Sequence, residues 1–167
     1  MNLYNLHTKP ESLDHYDLAH DTVPSLVFAK YKNNPAELKK REAVLAKDAP
    51  FAYEYARYVL KGRFPAGEAA IATSANWSVN YARYVHKGRF PAGEAAIATS
   101  ARDSLTYALY VLKDRFLAGE AAIATDAYES LNYAVYVLKG RFPAGEATIA
   151  KSQEYSSEYN KFLSTLK

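Results

Sequence analysis

The apolar positions of this chain recur at helical spacing. Between Ser74 and Lys87, Ser78, Tyr81, Ala82 and Val85 stand at i, i+3, i+4 and i+7, one stripe of an amphipathic helix. Ser74 precedes it as an N-cap, and Asp48, Ser100, Asp126 and Ser152 occupy the same place elsewhere. The pattern predicts a stop near Lys87, with Gly88 taking the left-handed conformation just past the helix end. Arg89 and Phe90 then form a turn, and Pro91 sits where a helix favours its first residue. Glu94 falls in the first turn of a short second helix, AGEAAIA, where its charge opposes the positive end of the helix dipole. A helix of about 13 residues and one of about eight, the longer spanning roughly 20 Å, account for each unit.

The unit is copied. Glu68–Gly93 recurs as Glu94–Gly119 with 18 of 26 positions identical. The same phase extends back through 42–67 and forward through 120–145, and a shorter copy runs from 146 to 167. Tyr55, Tyr81, Tyr107, Tyr133 and Tyr159 mark the 26-residue period, as do Glu42, Glu68, Glu94, Glu120 and Glu146. A degenerate unit covers 21–41, where Ser25–Tyr31 mirrors Ser78–Tyr84, and residues 1–20 are expected to form an N-terminal helical cap. Helices this short cannot bury an apolar side alone, so adjacent copies must stack. The expected fold is all-α, a short α-solenoid of right-handed type built from helix–turn–helix repeats.

Small Ala82, Ala69, Ala70 and Ala72 permit close approach, with Tyr81, Tyr84, Val85, Ile71 and Phe90 filling the space between helices. Burial of such side chains stabilises by roughly 1.5–3 kcal/mol each, so stacking contributes most of the stability. The rows Tyr55/Tyr81/Tyr107/Tyr133, Val59/Val85/Val111/Val137 and Phe64/Phe90/Phe116/Phe142 are the expected core. The last copy places Asn160 where Ala134 stands and Ser164 where Leu138 stands, as a water-facing terminal unit should. The third copy has Asp114 for the glycine and Leu117 for the proline, which predicts a looser joint there.

Composition narrows the chemistry. The chain has 167 residues, 49% hydrophobic and 23% charged, enough apolar content for a core. With no cysteine, disulfide scaffolds, zinc–cysteine clusters and thiol nucleophiles are excluded. No apolar run approaches the roughly 18 residues of a membrane helix, and polar Met1–Lys9 does not read as a signal peptide. A cytoplasmic location without membrane contact is expected. Histidines occur only at 7, 15, 20 and 86. His15 and His20, at i, i+5, fall on different helical faces, unlike the i, i+4 pair of a zinc helix. KGRFPAGE lacks the glycine spacing of a phosphate-binding loop. The reading is of a protein that is not an enzyme and calls for no metal or cofactor.

YARYVLKGRFPAGEAAIAT, preceded at the N-terminus by LHTKPESLDHYDLAHDTVPSL, resembles the tandem-repeat proteins encoded by tailed bacteriophages. The likeness spans almost the whole chain and implies a phage protein acting in the bacterial cytoplasm. It implies no activity for any single residue.

Rows that change little point to architecture. Arg63/Arg89/Arg115/Arg141 with the glutamate row is expected as a repeated pair holding each turn, with an anion track as the alternative. Lys61/Lys87/Lys113/Lys139 is expected to offset the negative ends of the long helices. The informative rows are those that differ between copies: Pro50/Asn76/Arg102/Tyr128, Phe51/Trp77/Asp103/Glu129, Glu54/Asn80/Thr106/Asn132 and Arg57/Arg83/Leu109/Val135. Positions 50, 54 and 57 share a helical face opposite the core stripe. Trp77, Arg83, Arg102 and Tyr128 are of the types that anchor interfaces. Leu109 and Val135 would add an apolar patch. His86 replaces a leucine at a copied position and reads as a tuned contact. Phe51, Arg57, Trp77, Arg83, His86, Arg102, Leu109, Tyr128 and Val135 are therefore the candidate partner-binding residues. Drift on a water-exposed face would leave the same pattern.

The expected function is binding of a host or phage protein through this variable face, with a host defence factor as one target the resemblance suggests. Nucleic acid or nucleotide binding is the alternative. Its basic footprint is small: the net charge of +3 comes from the first half, with +2 over Glu68–Gly93 but −1 over Glu120–Gly145. Self-association is left open.

Overall fold

A computed structural model describes residues 24–166, which form helices and turns without a strand. The expectations for the cap at 1–20, including His15 and His20, lie outside the described residues. The described helices are α1 (Pro24–Tyr31), α2 (Pro35–Leu45), α3 (49–60), α4 (Pro65–Ile71), α5 (75–86), α6 (Pro91–Ile97), α7 (101–112), α8 (117–123), α9 (127–138), α10 (Pro143–Ile149) and α11 (Gln153–Thr165). Each long helix of the four full copies begins as α-helix and ends in a π-wound turn; in α5 these are Ala75–Tyr81 and Ala82–His86. Long helices α3, α5, α7, α9 and α11 pack neighbour to neighbour in one layer, and short helices α4, α6, α8 and α10 form the second. The chain is an all-α solenoid.

Asp48, Ser100, Asp126 and Ser152 cap the long helices as expected, each accepting a backbone N–H three residues on. Ser74 has the same extended backbone without that side-chain bond. At the other end, the expectation for Gly88 is overturned. The left-handed residues are Lys61, Lys87, Lys113 and Lys139, with φ of 49–56°, and no glycine has positive φ. The π-wound turn is the reason. The Ala82 carbonyl accepts the N–H of both Lys87 and Gly88, so the chain reverses at the lysine, one residue before the glycine. Asp114 therefore replaces glycine at a place that needs no special backbone. Its N–H still reaches the Ala108 carbonyl at 3.3 Å, against 3.1 Å for Gly88.

The core runs along the seam between layers. Tyr55, Tyr81, Tyr107 and Tyr133 are fully buried, with Ala56, Ala82, Ala108 and Ala134 beside them. Phe64, Phe90, Phe116 and Phe142 are buried too, as are Ile71, Ile97, Ile123 and Ile149. The valine row is only half-buried, and Tyr84, expected in this core, is 40% exposed. Position 84 lies in the π-wound turn, which carries it off the core stripe to the outer side of α5. Close approach of the layers is set by Gly93. A Cβ there would stand 2.5 Å from Ser78 Oγ and 2.7 Å from the Phe90 ring. Ser78 is itself fully buried and donates its hydroxyl to the Ile71 carbonyl at 2.9 Å.

A polar node recurs at four successive joints. The Tyr107 hydroxyl accepts the Phe90 N–H at 2.8 Å and donates to Glu94 at 2.9 Å, while Arg89 grips the same carboxylate with two bonds of 2.6 and 3.0 Å. The same set joins Arg63, Phe64, Glu68 and Tyr81, then Arg115, Phe116, Glu120 and Tyr133, then Arg141, Phe142, Glu146 and Tyr159. The arginine–glutamate pair expected from the rows is thus present, with a tyrosine from the next long helix completing it. The joint after α7 keeps every one of these bonds, so it is not looser. Loss of proline shows only in the opening turn of α8, a 3-10 turn over Leu117–Gly119 with Leu117 at the surface. Asn160 and Ser164 are exposed on α11, as a terminal unit requires.

Candidate binding face

The outer side of the long helices carries a row that the sequence pattern alone does not single out. Tyr58, Tyr84, Tyr110 and Tyr136 repeat at the 26-residue period, and all four are 40–61% exposed. A core row at the same period, Tyr81, shows no exposure at all. The two rows lie three residues apart in each copy, where a regular α-helix would put them on neighbouring faces. Widening the last turn to π winding moves the second row outward.

Arginine interleaves these rings in the first half of the array. The Arg57 guanidinium lies 4.1 Å from the centre of the Tyr84 ring and 5.2 Å from that of Tyr58. Arg83 lies 4.9 Å from Tyr84 and 4.0 Å from Tyr110. Each guanidinium therefore bridges its own copy to the next, and two of them lie close to the Tyr84 ring. Such contacts stabilise by about 0.5–2 kcal/mol, depending on desolvation. Arg57 also hydrogen-bonds the buried Tyr53 hydroxyl, whose pKa burial raises above the phenol range. From the third copy on, Leu109 and Val135 take the place of the arginines and lie half-buried against the core. The face thus changes from cationic–aromatic to aliphatic–aromatic along the array.

Exposed Lys61, Lys87, Lys113 and Lys139 border the tyrosine row at the helix ends. Arg57, Lys61, Gly62, Tyr84, Val85 and Lys87 line a cleft of about 360 Å³ between the first and second full copies. No group of three or more His, Cys, Asp or Glu placed to hold a metal occurs among the described residues. Nor is any described helix long and apolar enough to cross a membrane.

The candidate residues divide by position. Arg102 is exposed, and Tyr128, 54% exposed, has its ring 5.9 Å from that of Tyr155 on α11. Phe51 and Trp77 are half-buried and pack against the core, with the Trp77 ring 5.2 Å from Tyr53 of the preceding copy. The Trp77–Tyr53 contact helps hold neighbouring long helices together. His86 lies half-buried between Tyr81 and Phe90, at 6.4 and 6.1 Å, and its Nδ1 has no hydrogen-bond partner. Arg57 and Arg83 are the candidates that the structure joins to the tyrosine row.

No family model, no curated protein and no solved structure matches this chain.

Proposed function

We propose that the chain is a non-enzymatic binding module that engages a protein partner through the outer face of its long helices. The observation that carries this reading is the row Tyr58, Tyr84, Tyr110 and Tyr136, exposed at every step of a scaffold that buries its other tyrosine row completely. Tyrosine and arginine are enriched where interfaces draw their energy, because they present large rigid surface with polar ends. A ladder of such residues on stacked helices offers an extended surface for a partner. The resemblance to phage-encoded repeat arrays makes a host or phage protein, including a defence factor, the class to test first.

Nucleic acid binding is the second reading, supported by tyrosines set beside Arg57, Arg83 and the lysine row. Against it, guanidinium groups already lie over the rings on which bases would stack.

Capture from nuclease-treated bacterial lysate, read by mass spectrometry, tests the protein reading. Wild-type chain should retain a partner that Tyr84→Ser/Tyr110→Ser loses while keeping its helicity. Retention by the double variant places the interface elsewhere. Trp77→Ala is a poor probe, because its packing on Tyr53 mixes stability with recognition.

A further inference from the structure

The array holds two arginine rows with opposite fates. Arg63, Arg89, Arg115 and Arg141 are each closed by a glutamate in a two-bond fork of 2.6–3.0 Å. Arg57 and Arg83 have no carboxylate within ion-pair distance among the described residues, and neither have Lys61, Lys87, Lys113 and Lys139. Glu54 shares their face, half-buried and unpaired with them, and Asp114 turns its carboxylate to the Arg115 backbone N–H at 2.7 Å. Six cations thus stand along one face with little to neutralise them. The scaffold has the means to pair arginine with glutamate and does so at four successive joints, yet gives this row no carboxylate.

The rings between these cations are taken. Tyr84 has Arg57 at 4.1 Å and Arg83 at 4.9 Å from its centre, so what points outward is guanidinium N–H, lysine ammonium and phenol O–H. All of these donate hydrogen bonds, and arginine and lysine accept none. The complement is a row of anionic acceptors. Carboxylates suit it best, because a guanidinium edge takes a carboxylate in two parallel charge-assisted bonds. Adjacent packed helices stand about 8–10 Å apart, and a chain in the extended polyproline II form rises about 3.1 Å per residue with three residues per turn, so every third side chain returns to the same face and meets the next copy.

We propose that the track of Arg57, Lys61, Arg83 and Lys87 receives an extended acidic segment of a protein partner, with carboxylates at three-residue spacing. This rests on the protein-binding reading above. The replacement of arginine by Leu109 and Val135 limits the acidic contact to the first part of the array.

The test is fluorescence anisotropy of labelled (Gly-Ser-Glu)4 titrated with the full chain at low ionic strength, with (Gly-Ser-Gln)4 and an oligothymidylate of equal length alongside. The acidic peptide should bind and the glutamine peptide should not. Arg57→Gln/Arg83→Gln should weaken binding by about tenfold or more, through loss of two charge-assisted contacts. Lys61→Gln/Lys87→Gln, which alters only exposed ends, should weaken it in the same direction, and the distant Lys151→Gln should not. Circular dichroism and melting of each variant show whether the fold is kept. Equal binding of the two peptides, no binding, or undiminished binding by both double variants overturns the proposal. So does tighter binding of the oligothymidylate, which would make this a nucleic-acid face. If the peptide fails while Tyr84-dependent capture of a protein persists, only the acidic segment is refuted; if that capture is indifferent to the face, the protein-binding reading falls instead.

Discussion

Tyr107→Phe removes one oxygen from the middle of the array and leaves the ring in place. That oxygen accepts the Phe90 N–H at 2.8 Å and donates to Glu94 at 2.9 Å. Phe90 stands just before α6, and its N–H lies in a buried bond with no helical partner to fall back on. Orphaning a buried donor costs about 1–3 kcal/mol. Loss of the phenol–carboxylate bond adds about 0.5–1.5 kcal/mol, at the low end because Glu94 keeps both bonds from Arg89. The expected total is about 1.5–3.5 kcal/mol. Tyr55→Phe provides the comparison: its hydroxyl donates to Glu42 at 2.6 Å and accepts no backbone N–H, so only the smaller loss applies. Both variants are read by urea unfolding followed by circular dichroism, with amide exchange at Phe90 as the local probe. Exchange at Phe90 should accelerate strongly in Tyr107→Phe and stay unchanged in Tyr55→Phe. Equal destabilisation of the two, or a protected Phe90 amide in Tyr107→Phe, would refute the role given to the node.

Gly93→Ala should destabilise by about 1–3 kcal/mol, since its Cβ meets Ser78 at 2.5 Å, whereas Gly88→Ala, with nothing within 4 Å and no positive φ, should be neutral or slightly stabilising in the same urea assay. Lys87→Gly should stabilise by about 1 kcal/mol by relieving a left-handed residue, and a lower unfolding midpoint would contradict this. Burial pushes Tyr81 and Tyr133 up to about 12, above the unfolded value near 10, so the unfolded chain holds fewer protons in that window. Melting temperature should fall as pH rises from about 10 toward 12. At the acid end, the arginine forks hold Glu68, Glu94 and Glu146 below the usual carboxylate range. The stability they contribute is complete above the unfolded value of about 4.3 and is lost as pH drops through the lower folded one, and Arg89→Gln should blunt that acid loss.

The period makes the fold legible, because copies that cannot stand alone must stack. The arginine–glutamate pairs follow from rows that match in type and phase. Three features are hidden for physical reasons. A π-wound turn has no residue signature here, so the sequence points to Gly88 for the left-handed position that Lys87 takes. The tyrosine that completes each node stands 13 residues from its glutamate, on the next long helix, and only stacking brings the two together. Tyr84 reads as core because it recurs without change, but repetition within an array reports that a position is reused, whether for packing or for display. The signal available in the sequence is its neighbour. Arg57 and Arg83 stand immediately before Tyr58 and Tyr84, which hints at an exposed edge in those two copies, while Leu109 and Val135 give no such hint before Tyr110 and Tyr136.

That edge and the joints can change independently, which is why a binding face can be read here at all. The contacts that join each long helix to the short helices beside it lie on the inner side: Tyr107 of α7 to Phe90 and to Glu94 of α6, Ser104 of α7 to the Ile97 carbonyl at 2.9 Å, and Gly119 of α8 against Ser104. None of them involves positions 57, 58, 83, 84, 109, 110, 135 or 136. Replacing Arg83 by the Leu109 type at the next step therefore alters a surface contact worth about 1 kcal/mol without touching the joint. The array bears this out in its own sequence. Arginine gives way to leucine and then valine along one row, while the Phe116–Tyr133 and Phe142–Tyr159 bonds persist at 3.0 and 2.9 Å. Arg83→Leu should accordingly leave the urea midpoint nearly unchanged and act on binding alone. A loss above about 2 kcal/mol, beyond what an exposed cation–π contact supplies, would mean that the outer ladder holds the copies together and that its tyrosines serve stacking, not recognition.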